Sequence, residues 1–208
     1  MLPGPLGFTP GAFVNVFMEH EGVRMRRAYS VSSDEDTQDT ITLSIRKGSA
    51  GGMSERFWDE GIEQVPVQIM GPLGLNTADK ITGTRVFLFG FGIGVSVVKG
   101  LLPHLLRRKD VTQITVMTGS RNESEALYKD YFEEEAKHDP RLVVKMVLSR
   151  PADPAYPFKG YVQDHSKDLD FTDASIYICG TKHAAENLKQ SIQDTESKPL
   201  EFLLEAFD

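Results

Sequence analysis

From Arg85 onward, short apolar runs alternate with stretches of helical periodicity, and this alternation limits the possible folds more than any other feature of the 208-residue sequence. Arg85–Gly90 is almost continuously apolar, as a strand buried on both faces must be. Ser96–Arg108 has helical spacing, Gln113–Thr118 is strand-like, and Ser124–Lys137 places Ala126, Leu127, Tyr131 and Phe132 at helical intervals. Leu142–Leu148 and Ser175–Cys179 read as further strands, and Ala184 to Asp194 as a polar helix. Such a series predicts a parallel sheet covered by helices.

Phe8 to Gly74 follows different rules. Runs of β character at Phe13–Met18, Arg27–Val31, Thr40–Arg46 and Val65–Met70 are separated by Gly, Pro, Ser and Asp clusters, which predicts a small antiparallel barrel. A helix interrupts it, because Ser54 before Glu-Arg-Phe-Trp-Asp-Glu reads as an N-cap with acidic residues at the positive end of the helix dipole, and Gly61 stops it. Asp34–Asp39 reads as a solvated hairpin tip. With a linker near Asn76–Gly83, the expected organisation is a β-barrel unit over residues 1–78 and an α/β unit over residues 79–208.

The balance of 23 basic against 30 acidic side chains, a net charge of -7, argues against nucleic acid as the main ligand, since phosphate backbones need a basic surface. Arg24, Arg26 and Arg27 still form a local candidate for an anion. The single cysteine, Cys179, excludes an internal disulfide and cannot alone hold an iron–sulfur cluster, so single electrons would have to leave to another chain. No apolar run nears the roughly 20 residues of a membrane helix, and Met1–Pro10 lacks a secretion-signal pattern, so the expectation is a cytoplasmic protein. His20, His104, His138, His165 and His183 lack metal-ligand spacing and are expected on the surface or in packing.

Three segments carry candidate chemistry. Gly90-Phe91-Gly92-Ile93-Gly94-Val95-Ser96 lies between a buried strand and a helix, where missing side chains let a pyrophosphate approach backbone N–H groups; a tight strand-to-helix turn needs the same residues. Arg27-Ala28-Tyr29-Ser30 combines a cation for phosphate, a ring that packs on a planar heterocycle, and a hydroxyl that can bond a ring nitrogen. Gly51-Gly52-Met53-Ser54 leads into a helix N-terminus, which suits an anion and equally suits a capped helix after a flexible loop.

In this order, the motifs make the sequence similar to the ferredoxin reductase superfamily, the flavin reductases that include cytochrome b5 reductase and the reductase components of bacterial oxygenases. Phe8-Thr9-Pro10-Gly11-Ala12-Phe13-Val14, Thr42–Lys47, Gly71-Pro72-Leu73-Gly74, Leu148-Ser149-Arg150-Pro151, Lys159-Gly160-Tyr161-Val162 and Cys179-Gly180 extend the resemblance over nearly the whole chain. It implies an FAD-binding barrel and an NAD(P)H-binding α/β domain that together pass electrons from NADPH or NADH through FAD to an acceptor, ferredoxin-like, haem or other.

Residue by residue, the resemblance implies that Arg27 binds the flavin pyrophosphate, Tyr29 packs on the isoalloxazine, and Ser30 bonds near the nitrogen that accepts hydride. Ile45 joins this flavin set, and Gly51, Gly52, Met53 and Ser54 hold its phosphates. Gly90 and Gly92 cradle the NAD(P)H pyrophosphate, and Cys179 with Gly180 sits beside the nicotinamide, or Cys179 is simply a small buried hydrophobe at a strand end. The Glu-x-Phe ending places Phe207 at the flavin, or simply in the last strand of the sheet. Ser120 and Arg121, with Lys129, favour the extra phosphate of NADPH, against Asn122 and Glu123 beside them.

The sequence also departs from the family pattern. Val95 stands where the pyrophosphate loop has proline, Phe91 where a small or aliphatic residue is usual, and Thr181 where proline follows Cys-Gly. Ala12 replaces a common glutamine, and only seven residues precede Phe8, where the family has a first strand. A barrel without that strand has an open edge, which predicts a dimer or a heteromeric partner covering it. Two rival readings stand beside the reductase: an electron-transfer subunit with little activity of its own, and a degenerate binding or regulatory module.

Overall fold

The computed structural model describes residues 4, 6–37, 40–48, 51–59 and 66–207. Among these, the N-terminal part is a three-stranded antiparallel sheet in the order β2-β1-β3, with β1 at Phe13–His20, β2 at Val23–Ser30 and β3 at Val67–Leu73. The helix α1, Met53–Asp59, lies between β2 and β3 in the chain. Val14, Val16 and Met18 alternate inward along β1, as a half-buried strand requires, and close on Val31 and Met53 in a small core.

Two local expectations are corrected here. Thr40–Arg46 is not a strand: only Leu43 makes a bridge, to Val31, and the rest runs as irregular chain. β2 begins four residues earlier than expected, at Val23, because its basic residues face solvent while their backbone pairs with β1. Gly61 and Val65 lie outside the described residues, as does part of the acidic tip at positions 38 and 39.

The second part is a five-stranded parallel sheet in the order β6-β5-β4-β7-β8. Its strands are β4 (Arg85–Phe91), β5 (Gln113–Ser120), β6 (Leu142–Leu148), β7 (Ser175–Thr181) and β8 (Glu201–Phe207). Alternate residues face opposite layers. Val86 and Leu88 of β4 meet α2 (Val95–Arg107) and α3 (Lys129–His138), whereas Phe87 and Phe89 meet α4 (Val162–Ser166) and α5 (Lys182–Gln193). Burial on both faces explains why β4 reads as a nearly continuous apolar run.

The helix expected from Ser124 starts only at Lys129. Asn122 caps a short 3-10 turn over Glu123–Glu125, and Tyr128 takes a left-handed backbone conformation, φ 58°, that resets the chain direction. The strand order reverses between β4 and β7, and in an open α/β sheet a ligand binds outside the carboxyl ends of the strands at such a switch.

The two parts are tied along one side. Lys99 Nζ donates to Ser32 O at 2.9 Å with the Tyr128 and Tyr131 rings beneath it at 5.7 and 5.3 Å. Tyr128 OH bonds Ser44 Oγ. A Cβ on Gly100 would lie 2.8 Å from Val31 O, so the chain leaving β2 runs directly over α2. The segment 76–83 is fixed as well: Asn76 Nδ2 donates to Leu204 O at 2.9 Å, and Ala78 N to Pro10 O at 2.8 Å.

Candidate functional site

A cleft of about 790 Å³ opens at the carboxyl ends of the parallel strands. Its floor is Phe91, Gly92 and Ile93 at the end of β4 and Gly119 and Ser120 at the end of β5. Arg121, Tyr161 and Gln163 stand on one side, and Thr181, His183, Asn187 and Phe207 on the other. Arg46 reaches it from the N-terminal part, two residues beyond the Ser44 that Tyr128 holds.

The three glycines after β4 divide their duties. A Cβ on Gly90 would lie 2.9 Å from Val95 Cα, and one on Gly94 would lie 2.6 Å from the carbonyl carbon of Cys179 and 2.9 Å from Gly180 N. Both glycines are therefore required for α2 to pack on the sheet. Gly92 differs: its φ of +53° favours glycine, nothing stands within 4 Å of its missing Cβ, and it lines the cleft. The backbone at Gly92 is thus the place in this turn that an anionic group can approach.

Of the residues predicted for the nucleotide, the cleft brings together Gly92, Ser120 and Arg121, and Phe207, expected at the flavin or simply in the last strand, lines it as well. Arg121 is exposed, and Ser120 Oγ donates to Glu125 O at 3.2 Å. Phe207 pairs with Thr181 at the outer edge of the sheet, so the chain's ending is both the last strand and a wall of the cleft. Gly90, Cys179 and Gly180 lie beneath, in the body of the sheet, and do not line the cleft.

Cys179 is 1% exposed and faces the α2 layer. Burial pushes its thiol well above the ordinary range, and the neighbouring Glu205 carboxylate adds to this. Glu205 is itself raised by burial, against the hydrogen bond at 3.0 Å that its Oε1 accepts from Asn76 Nδ2. Tyr177 OH donates to Asn76 O at 3.0 Å and completes a part-buried polar chain from the interdomain segment to β8.

The residues predicted for the flavin form a second group on the N-terminal sheet. Tyr29 packs, half-buried, in the same small core as Met53, so the end of β2 and the start of α1 adjoin. Burial raises the Tyr29 phenol, and the Arg27 guanidinium nearby opposes the shift. Arg27 is exposed and donates from Nη1 to Arg26 O at 2.8 Å. Ser30 is half-buried opposite Phe13, and Ile45 is half-buried beside Arg46.

At the start of α1 the side chains already serve backbone donors. Ser54 Oγ accepts from Gly48 N at 3.0 Å, and a Glu55 carboxylate oxygen accepts from Gly51 N. Gly51 has φ +78° and open space where a Cβ would stand, and the Gly52 carbonyl accepts from Glu55 N at 3.1 Å. Open backbone at Gly51, a cation at Arg27 and a half-buried ring at Tyr29 fit a planar ring bearing phosphates.

Sequence reasoning missed Arg46, Tyr161, His183 and Asn187 as lining residues. The signal for Arg46 was a cation directly after the half-buried Ile45, within a segment read as one strand. His183, expected as a surface or packing residue, is exposed but stands in the cleft wall, where its Nε2 meets Asn187 Nδ2 at 3.1 Å.

Two family models match the chain: an oxidoreductase FAD-binding domain over residues 3–77 and an oxidoreductase NAD-binding domain over residues 88–190. The chain belongs to the ferredoxin reductase superfamily. It is 29% identical to the reductase component DmpP of phenol 2-monooxygenase from Pseudomonas sp., over 86% of this chain and 52% of that protein. It is 27% identical to ferredoxin–NADP reductase B of Sorangium cellulosum, over 83% of this chain and 74% of that one.

Among solved structures, the cytochrome P450 reductase GcoB of Amycolatopsis matches with a TM-score of 0.85 and 25% identity, over 98% of this chain and 62% of that one. The ferredoxin NADP+ reductase of Neisseria gonorrhoeae, with bound FAD and NADP, has the same fold at a TM-score of 0.81 and 18% identity, over 96% and 87%. The chain therefore spans only about half of the DmpP reductase component. No helix among the described residues is long and apolar enough to cross a membrane.

Proposed function

We propose that this chain is an NAD(P)H-dependent flavin reductase, which takes electrons from a nicotinamide nucleotide held in the cleft, through FAD, to a separate acceptor. The observation that carries the reading is the cleft itself: an open glycine at a strand-to-helix turn, at the switch point of a parallel sheet, with two arginines on its walls. When bound, the flavin supplies the hydride and electron chemistry. The protein's part is to hold and orient.

In this reading residues 1–78 are the FAD unit and residues 79–208 the nucleotide unit. Arg27 answers the flavin pyrophosphate, Tyr29 packs on the ring system, and Ser30 and Ile45 border it. Gly51, Gly52, Met53 and Ser54 accommodate its phosphates. Receiving a phosphate at Gly51 N requires the Glu55 carboxylate to swing away, since the two cannot share one donor. Gly92 admits the nucleotide pyrophosphate, Arg46 faces it from the other unit, and Phe207 borders the ring half.

Gly90, Cys179 and Gly180 act from below, by fixing the turn and the sheet's edge rather than by touching the nucleotide. Ser120 and Arg121 favour NADPH, because a bidentate guanidinium suits a ribose phosphate. The acceptor is a protein, as it is for the oxygenase reductase components this chain resembles. A cytoplasmic location belongs to the same reading. β2 and β3 end the N-terminal sheet among the described residues, which supports a second copy or a heteromeric partner pairing there.

Anaerobic addition of NADPH and NADH to the FAD-loaded protein tests the reading. Bleaching of the flavin's visible band by either nucleotide, faster with NADPH, is the expected result; no bleaching by either refutes reductase function. An electron-transfer subunit would bleach but show little turnover with artificial acceptors.

A further inference from the structure

We propose that Phe91 determines specificity in the cleft: its ring fills the floor at the switch point and weakens the binding of the nicotinamide half of the dinucleotide. The inference rests on the nucleotide reading given above.

Phe91 is the last residue of β4, the central strand of the sheet. Glycine stands beside it on both neighbours: Gly119 is its partner on β5, and Gly180 on β7 follows Cys179, the partner of Gly90. A Cβ on Gly180 would lie 2.6 Å from Phe91 Cβ, and a Cβ on Gly119 would lie 2.9 Å from Phe91 Cδ1. The ring therefore occupies the place that side chains at both positions would take. Without it, three neighbouring strands would end in a bare strip of backbone wide enough for a flat heterocycle.

The ring is fixed where it is. Phe91 points to the α4 and α5 layer, the same side as Phe87 and Phe89, whose rings stack 6.4 Å apart, and it packs on that layer's core. Its free surface lines the cleft beside Gly92, where the pyrophosphate is placed. From that point a dinucleotide extends in two directions across the strand ends. One half meets Ser120 and Arg121, away from Phe91. The other runs over Phe91, which covers Gly180, toward Thr181, His183 and Phe207, and there the Phe91 ring limits how deep it can settle.

Removing the ring deepens the floor only for the second half. An extra 50–60 Å² of buried apolar surface corresponds to about tenfold in affinity. The test uses the FAD-loaded protein and measures dissociation constants for the oxidised dinucleotide and for its nicotinamide-free counterpart, ADP-ribose or its 2′-phosphate. Phe91→Ala is expected to bind the dinucleotide about tenfold more tightly than wild type, with the nicotinamide-free ligand unchanged within about twofold.

Phe91→Leu keeps most of the contact with the core and is expected to shift the same way by a few-fold, so it decides the matter where the alanine variant does not fold. Unchanged or weaker dinucleotide binding, with the nicotinamide-free ligand still bound, overturns the role of Phe91 and leaves the nucleotide reading standing. Failure of wild type to bind either ligand overturns both.

Discussion

Arg107 holds Asp34 through two hydrogen bonds, Nη1 to Oδ2 at 2.9 Å and Nη2 to Oδ1 at 2.8 Å, so the end of α2 is clamped to the loop after β2. Glu35 joins the cluster, accepting from Arg107 Nη2 at 2.8 Å and meeting His104 Nδ1 at 2.7 Å. With Lys99 on Ser32 O and Tyr128 on Ser44, these contacts set the N-terminal sheet against the parallel one and so place Arg46 over the cleft.

Asp34 gives the clamp a pH signature. The hydrogen bonds from Arg107 hold its carboxyl below the ordinary carboxylate range. Its contribution is present above the unfolded-state value of about 4 and is lost as pH falls through the lower folded value. Asp34→Asn is expected to lower stability by about 1 kcal/mol near neutral pH, or about 2–4 °C in melting temperature. Thermal melts from neutral to acid pH should show the two proteins converging; a constant difference down to acid would mean the ion pair contributes nothing.

Gly92 and Gly94 should respond oppositely to the same substitution. Gly94→Ala forces a methyl against the backbone of Cys179 and Gly180, and should cost about 3 kcal/mol or more. Gly92→Ala meets open space and bears only the left-handed backbone, about 1–2 kcal/mol, yet should weaken nucleotide binding. Melting curves paired with nucleotide titrations separate the two; equal destabilisation would remove Gly92 from the site.

Cys179 should be chemically silent in the folded protein. Its burial and raised thiol leave almost no thiolate at mildly alkaline pH. Alkylation by N-ethylmaleimide followed by mass spectrometry is expected to label the chain only in denaturant. Rapid labelling of native protein would place the thiol in the cleft.

The parallel sheet was legible because its strands are buried on both faces. Val86–Phe91 of the central strand β4 runs without a charged or polar side chain, and Leu142–Leu148 of the edge strand β6 is apolar except for Lys145. The N-terminal part was harder. Val23-Arg24-Met25-Arg26 carries a strand in backbone pairing alone, and Thr40–Arg46 has strand-like residues but pairs only at Leu43. Tyr128 in a left-handed conformation leaves no trace in the sequence, because the strain is borne by tertiary contacts with Lys99 and Ser44.

The site was legible as motifs and illegible as a division of labour. The glycines at 90, 92 and 94 look alike in sequence; only the packing of Val95 and Cys179 on two of them shows that Gly92 alone faces the cleft. Cys179 and Phe207 occupy adjacent strands, the inner β7 and the edge strand β8, yet one is in the core and the other in the cleft wall, a difference set by strand alternation and by the sheet's edge.

The two arginines should separate affinity from selectivity. Arg46→Ala is expected to weaken NADPH and NADH alike, by about tenfold, since it answers a phosphate common to both. Arg121→Ala should weaken NADPH alone and bring the two nucleotides together. Steady-state or binding titrations with both nucleotides read this out; an Arg121 variant that loses NADH equally would assign that side chain to the shared phosphates.

A visible absorption spectrum of the purified chain, with its bound flavin quantified after release, bears on everything above. One FAD per chain, lost from Arg27→Ala or Tyr29→Ala protein that still melts like wild type, is the expected result. A colourless chain that takes up no added FAD would contradict the reductase reading and leave the fold serving as a binding module.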